Sequence, residues 1–168
     1  MTDRLPEGFH MRPPVRTDLE SMHAVTQAYE LAYYGENDFS LDDLRTLWDS
    51  PTFEMAEQAR LVFDSAGRLV CVAYFDQQAY MRYSFSLDVL PGCEDARIRA
   101  FLMALGEEWA HQQMVKAPVE ARTFLRVWIA AKNAEANSWY RERADFAEVR
   151  RFWEMQINMN AAPAAPVW

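Results

Sequence analysis

The sequence predicts a single α/β domain, built on a mixed, mostly antiparallel sheet with helices on both faces. Three observations predict it. Apolar residues recur at helical spacing in some segments and at every second position in others, and the two periods alternate along the chain. The run "ARLVFDSAGRLVCVAYFD" (59–76) holds two β-rich stretches around the turn Asp64-Ser65-Ala66-Gly67, a hairpin that supplies antiparallel neighbours. Residues 80–131 then read strand, helix, strand, a unit that needs a right-handed crossover and returns its second strand parallel to its first.

The elements follow in order. "GFHMRPP" (8–14) reads as a short strand ended by prolines. "TDLESMHAVTQAYELAYYG" (17–35) reads as a helix with a Thr17/Glu20 capping box, a core stripe of Leu19, Met22, Val25, Tyr29 and Ala32, and Gly35 as its stop. "SLDDLRTLWDSP" (40–51) is a second helix, capped by Ser40, with Leu41, Leu44, Leu47 and Trp48 inward and Pro51 at its end. After the hairpin, "YMRYSFSLDVLP" (80–91) alternates Tyr83, Phe85, Leu87 and Val89 on one face with Ser84, Ser86 and Asp88 on the other. "EDARIRAFLMALGEEWAHQQM" (94–114) carries the stripe Ile98, Phe101, Leu102, Leu105 and Trp109. "TFLRVWIAA" (123–131) is a strand and "NAEANSWYRER" (133–143) a short helix. "FAEVRRFWEMQINM" (146–159) alternates Trp153, Met155, Ile157 and Met159 as a last strand. The expected order is β, α, α, β, β, β, α, β, α, β. Residues 1–160 form one domain and 161–168 an Ala/Pro-rich flexible tail.

Composition narrows the function classes. The 17 lysines and arginines stand against 25 acids, a net charge of −8, which argues against a nucleic-acid or anionic-membrane surface and tolerates cationic partners. Cys71 and Cys93 form no CxxC pair, so neither a disulfide scaffold nor a zinc site is expected. No signal-like segment or membrane-length apolar run is visible, and a cytoplasmic protein is the default. His10, His23 and His111 lie in different elements without metal-ligand spacing, and no nucleophile elbow or GxxxxGKS phosphate loop is present.

One junction stands out. "DVLPGCEDARIRAF" (88–101) runs from strand through loop into helix, where free N–H groups and the helix dipole attract phosphate. Its first helical turn nevertheless carries Glu94 and Asp95, and only Gly92 lies nearby.

The element order, with "GFHMRPPVRTDLE", "DSAGRLVCVAYF", "NAEANSWYRERADF" and "FWEM", resembles the GNAT N-acetyltransferase superfamily over about residues 8–159. The resemblance implies acetyl-CoA as cofactor. It implies that the fourth strand, 83–90, pairs its backbone with the pantetheine arm through Leu87, Asp88, Val89 and Leu90. It implies that the next loop and helix start bind the pyrophosphate, which places Ala96, Arg97, Ile98 and Arg99 there. The loop departs from the family's Q/R-x-x-G-x-G/A: Glu94 stands at the basic or amide position, and Arg97 and Arg99 at the small ones. The acids repel a pyrophosphate, and the two arginines can offset this by reaching phosphate oxygens. The family's N-x-x-A-x-x-x-Y is kept as Asn133, Ala136 and Tyr140, which makes Tyr140 the candidate general acid for the departing thiolate and Asn133 part of the cofactor site.

Asp88, on the polar face of the fourth strand, is a candidate general base, with Glu20, Glu30 and Glu36 near the expected acceptor channel. The resemblance therefore implies acetyl transfer from acetyl-CoA to a small-molecule amine by direct attack. The alternative is a non-catalytic GNAT-like domain that has lost acetyl-CoA: a small-ligand binder, or one partner in a homodimer or with a second GNAT domain.

Overall fold

The computed structural model describes residues 4–153. It contains a five-stranded sheet of β1 (His10–Arg12), β2 (Ala59–Phe63), β3 (Leu69–Gln78), β4 (Arg82–Val89) and β5 (Phe124–Val127), in that spatial order. The first three pairings are antiparallel and the β4–β5 pairing is parallel. The helices are α1 (Leu19–Tyr33), α2 (Leu41–Trp48), α3 (Met55–Gln58), α4 (Ala96–Met114) and α5 (Ala134–Arg141).

Each face of the sheet buries its own core, as the α/β reading requires. On one side α4 and α5 cover Ala73, Phe75, Phe85 and Leu87 with Ile98, Leu102, Met103 and Tyr140. On the other, α1 and α2 cover Leu61 and Val72 with Met22, Val25 and Leu44. The hairpin turn forms as its sequence demands: Gly67 takes φ +76°, and Asp64 Oδ1 accepts the N–H groups of Ala66 and Arg68 at 3.0 Å each. Ser40 caps α2, accepting the Asp43 N–H at 3.1 Å while the Asp43 carboxylate accepts the Ser40 N–H at 2.9 Å.

Four local readings change. The Thr17/Glu20 capping box does not form. Asp18 holds the helix entry instead, accepting the Val15 N–H at 2.7 Å and pairing with Arg12 at 2.6 Å, so it ties the end of β1 to the start of α1. Ala32 is exposed, and the buried stripe of α1 takes in Thr26. The unexpected turn α3 is held by Gln58, whose side chain accepts the Glu54 N–H and donates to Phe75 O. The fourth change concerns α4, whose buried face runs through Ile98, Leu102, Met103, Gly106 and Ala110, with Phe101, Leu105 and Trp109 only half-buried. Gly106 explains the rotation: a Cβ there would lie 3.1 Å from Cε1 of Phe75 and 3.2 Å from Cδ2 of Phe85, so the bare glycine lets the helix sit directly on the stacked Phe75–Phe85 pair.

The last expected strand, 146–159, falls partly outside the described residues. Its described part, 146–153, has no strand, and Trp153 is 82% exposed. In it Phe146 packs on the Tyr140 ring and Phe152 on Trp128, and ion pairs join Arg143 to Asp145 and Arg151 to Glu148. The 161–168 tail also lies outside the described residues.

Candidate active site

The site begins with a divergence of strands. β4 and β5 pair only over 82–85 against 124–127, whereas β3 stays paired with β4 as far as Val89. Backbone direction alternates along a strand. Leu90 N–H donates to Val70 O at 2.9 Å, towards β3, while Met81 O accepts Phe124 N–H at 3.1 Å, towards β5. Odd-numbered residues of β4 therefore turn their N–H and C=O to the β5 side. For Leu87 and Val89 that side is open, since among the described residues β5 has already ended. Two successive peptide groups facing a gap can hold an extended chain carrying amides.

Asp88 lies between them and points its side chain to the opposite face. Thr26 Oγ1 on α1 donates to Asp88 Oδ2 at 2.7 Å. Burial pushes the Asp88 carboxyl up to about 6, the Thr26 hydrogen bond opposes that shift, and nearby Glu30 adds to it. Asp88 borders a cavity of about 450 Å³ with Glu30, Asp76, Tyr74, Phe53 and Ser86 in its wall. Three carboxylates line this cavity, and among the described residues no lysine or arginine does. A depression of about 580 Å³ on α2 is charged too, but its Arg45 and Asp49 are already paired with Asp42 and Arg16.

The phosphate-type junction is occupied by its own acids. Glu94 Oε2 accepts the Gly92 N–H at 2.8 Å, and Glu94 Oε1 accepts the Tyr33 hydroxyl at 2.6 Å. Asp95 caps α4, accepting the Arg97 N–H at 2.8 Å and pairing with the Arg97 guanidinium at 2.7 Å. That pair, with the cap, holds the Asp95 carboxyl below the usual carboxylate range. The N–H groups a pyrophosphate would use at Gly92 and Arg97 thus already serve side-chain anions.

The remaining expected residues separate by role. Ala96 and Arg97 are exposed at the start of α4, and Ile98 is core. Arg99 is 5% exposed and pairs with Glu135 of α5 at 2.5 Å. Asn133 caps α5, its Oδ1 accepting the Ala136 N–H at 3.0 Å. Tyr140 is 7% exposed, packs against Trp139 and Phe146, and donates its hydroxyl to Met103 Sδ at 3.7 Å. Burial pushes its phenol up to about 12, with the Arg99 charge acting the other way. Asp88 and Tyr140 flank the sheet from opposite faces. Thr26, Tyr33 and Glu135 were missed as site residues, and their partners lie 62, 61 and 36 residues away in sequence.

The acetyl-CoA implied by the resemblance fits this chain unevenly. The open backbone of Leu87 and Val89 suits amide pairing, while the junction's filled N–H groups do not suit a pyrophosphate.

No known family model matches the chain, and neither does any curated protein. Solved structures do. A GCN5-related N-acetyltransferase from Sphaerobacter thermophilus is 25% identical with a TM-score of 0.74, over 83% of this chain and 44% of that one. This chain thus spans less than half the length of that protein. Spermidine N-acetyltransferase from Vibrio cholerae, in complex with CoA and spermine, is 18% identical with a TM-score of 0.58, over 82% and 80%. The ribosomal-protein-S18-alanine N-acetyltransferase from Escherichia coli is 15% identical with a TM-score of 0.56, over 79% and 74%. With five strands in a mixed sheet among the described residues, helices on both faces and these neighbours, the chain has the fold of the GNAT N-acetyltransferases.

Proposed function

We propose that this protein transfers an acetyl group from acetyl-CoA to a small, positively charged amine. The observation that carries the reading is the opening between β4 and β5 beside Asp88: peptide groups of Leu87 and Val89 that pair with no strand among the described residues on one side, a half-buried carboxylate facing an acidic cavity on the other. Acetyl-CoA, when bound, supplies the activated acetyl thioester. Leu87 and Val89 align an extended arm through their N–H and C=O. Glu30, Asp76 and Asp88 attract the cationic amine, and Asp88, raised to about 6, is ionised at neutral pH yet basic enough to take its proton. Tyr140 keeps its proton at neutral pH and is the donor on the other face of the sheet. Solved neighbours named for acetylating spermidine and a protein alanine support an amino group as acceptor.

The test is release of free thiol from acetyl-CoA in the presence of cationic amines. Release that needs both protein and amine supports the reading, and folded protein that releases none overturns it.

A second reading rests on a specific observation. Glu94 and Asp95 fill the junction's N–H groups, as expected of a GNAT-like domain that no longer takes the cofactor and instead binds a small ligand or a second GNAT domain. Retained binding of a cationic amine without any binding of CoA favours this one.

A further inference from the structure

Arg99 has a place that neither the family pattern nor a phosphate-binding role explains. It stands where the resemblance expects a small residue, in the first turn of α4, yet it lies 5% exposed inside the molecule. Its Nη2 donates to Glu135 Oε2 of α5 at 2.5 Å, and its Cζ sits 6.0 Å from the centre of the Tyr140 ring. Its Nε is buried and has no hydrogen-bond partner among the described residues.

We propose that Arg99 is a positioning residue for Tyr140: clamped by Glu135, it holds the phenol in place and supplies the positive charge that eases release of the phenolic proton. The inference rests on Tyr140 being the proton donor of the proposed reaction.

The charges around the phenol decide the sign. Arg143 and Glu107 also face Tyr140, and they pair with each other at 2.7 Å, with Asp145 on Arg143 at 2.5 Å as well. That cluster brings no net positive charge to the ring. In the other pair the partners differ in exposure: the Arg99 side chain is 5% exposed and the Glu135 side chain 39%. Water screens the carboxylate more than the guanidinium, so at the phenol the positive end dominates. When the O–H bond breaks, its electron pair stays on the phenol oxygen, and the proton would pass to the departing thiolate. The oxygen then becomes an anionic acceptor beside a cation that still has an unused N–H donor. A lysine could not pair with Glu135 and keep a second, fixed donor in the same plane.

The experiment needs neither cofactor nor turnover. A fluorinated, more acidic tyrosine is placed at position 140 of the full chain, and ¹⁹F NMR follows its titration while the fold is intact. Removing the nearby cation in Arg99→Met is expected to raise the midpoint by about one unit or more. Glu135→Gln removes the opposing carboxylate and is expected to lower it, and Arg99→Lys to fall between Arg99→Met and the parent. Glu135→Gln acts at a half-exposed side chain, so it reads the sign even where Arg99→Met fails to fold. An unmoved midpoint in Glu135→Gln, or one displaced upward, overturns the proposal. Acetyl transfer retained in Tyr140→Phe overturns instead the role of Tyr140 on which it rests, and the two failures are told apart by different measurements.

Discussion

Replacing Asp88 by asparagine should raise stability and lower activity together, with a pH dependence that identifies the cause. The carboxyl is raised from its ordinary 3.8 to about 6, mainly by burial. That is about two pH units, and at ~1.36 kcal/mol per unit it makes the ionised side chain cost ~3 kcal/mol in the folded state. Between pH 4 and 6 the folded protein binds this proton more tightly than the unfolded chain does. Stability from this group is therefore greatest below pH 4, falls as pH rises to 6, and is level above. Asparagine keeps an oxygen to accept the Thr26 hydroxyl but carries no charge. Urea denaturation of both proteins at pH 4 and pH 8 is the assay, and taking the difference cancels the other titrating groups. The variant should match the parent near pH 4 and exceed it by up to ~3 kcal/mol at pH 8. Acetyl transfer should meanwhile fall ~10²–10⁴-fold, the usual worth of a general base. A variant less stable than the parent by the same amount at both pH values would refute the argument that Asp88 is held ionised at a cost.

Further outcomes follow from the same geometry. Activity of the parent should rise with pH through about 6 as Asp88 ionises and then level off, and a profile flat from pH 5 to 8 would exclude Asp88 as base. Glu94→Gln combined with Asp95→Gly should free the Arg97 N–H and remove two negative charges, strengthening CoA binding at least ~10-fold by calorimetry; unchanged affinity would mean the cofactor does not use this loop. Asp76→Asn should raise KM for a cationic amine up to ~5-fold, the scale of an exposed ion pair, and weaken the salt dependence of that KM. Gly106→Ala should destabilise by ~1–3 kcal/mol in urea, because its Cβ meets the Phe75 and Phe85 rings and overpacking outweighs the gain in helix propensity.

Much of the scaffold was legible because it rests on local rules. Alternation along 83–89 put Asp88 on the face opposite Leu87 and Val89, and Ser40 and Gly67 marked a cap and a turn that form. What failed depended on distant partners. Arg99 read as a phosphate ligand because arginine in a first helical turn is usually solvated, and Glu135, which draws it inward, is 36 residues on. Glu94 read only as a repelling charge, and its ties to Tyr33 and to its own loop could not be read from the sequence. The rotation of α4 came from Gly106, whose missing side chain leaves no mark in a hydrophobic pattern. The divergence of β4 from β5 is a matter of where pairing stops, and both strands remain β-like in sequence beyond that point.

Whether the gap beside Asp88 takes acetyl-CoA is decided by calorimetric titration of CoA into the parent protein. Saturable binding of one CoA per chain is expected at submillimolar concentration, tightened in the Glu94→Gln, Asp95→Gly variant. Absence of binding at millimolar CoA in both proteins would contradict it.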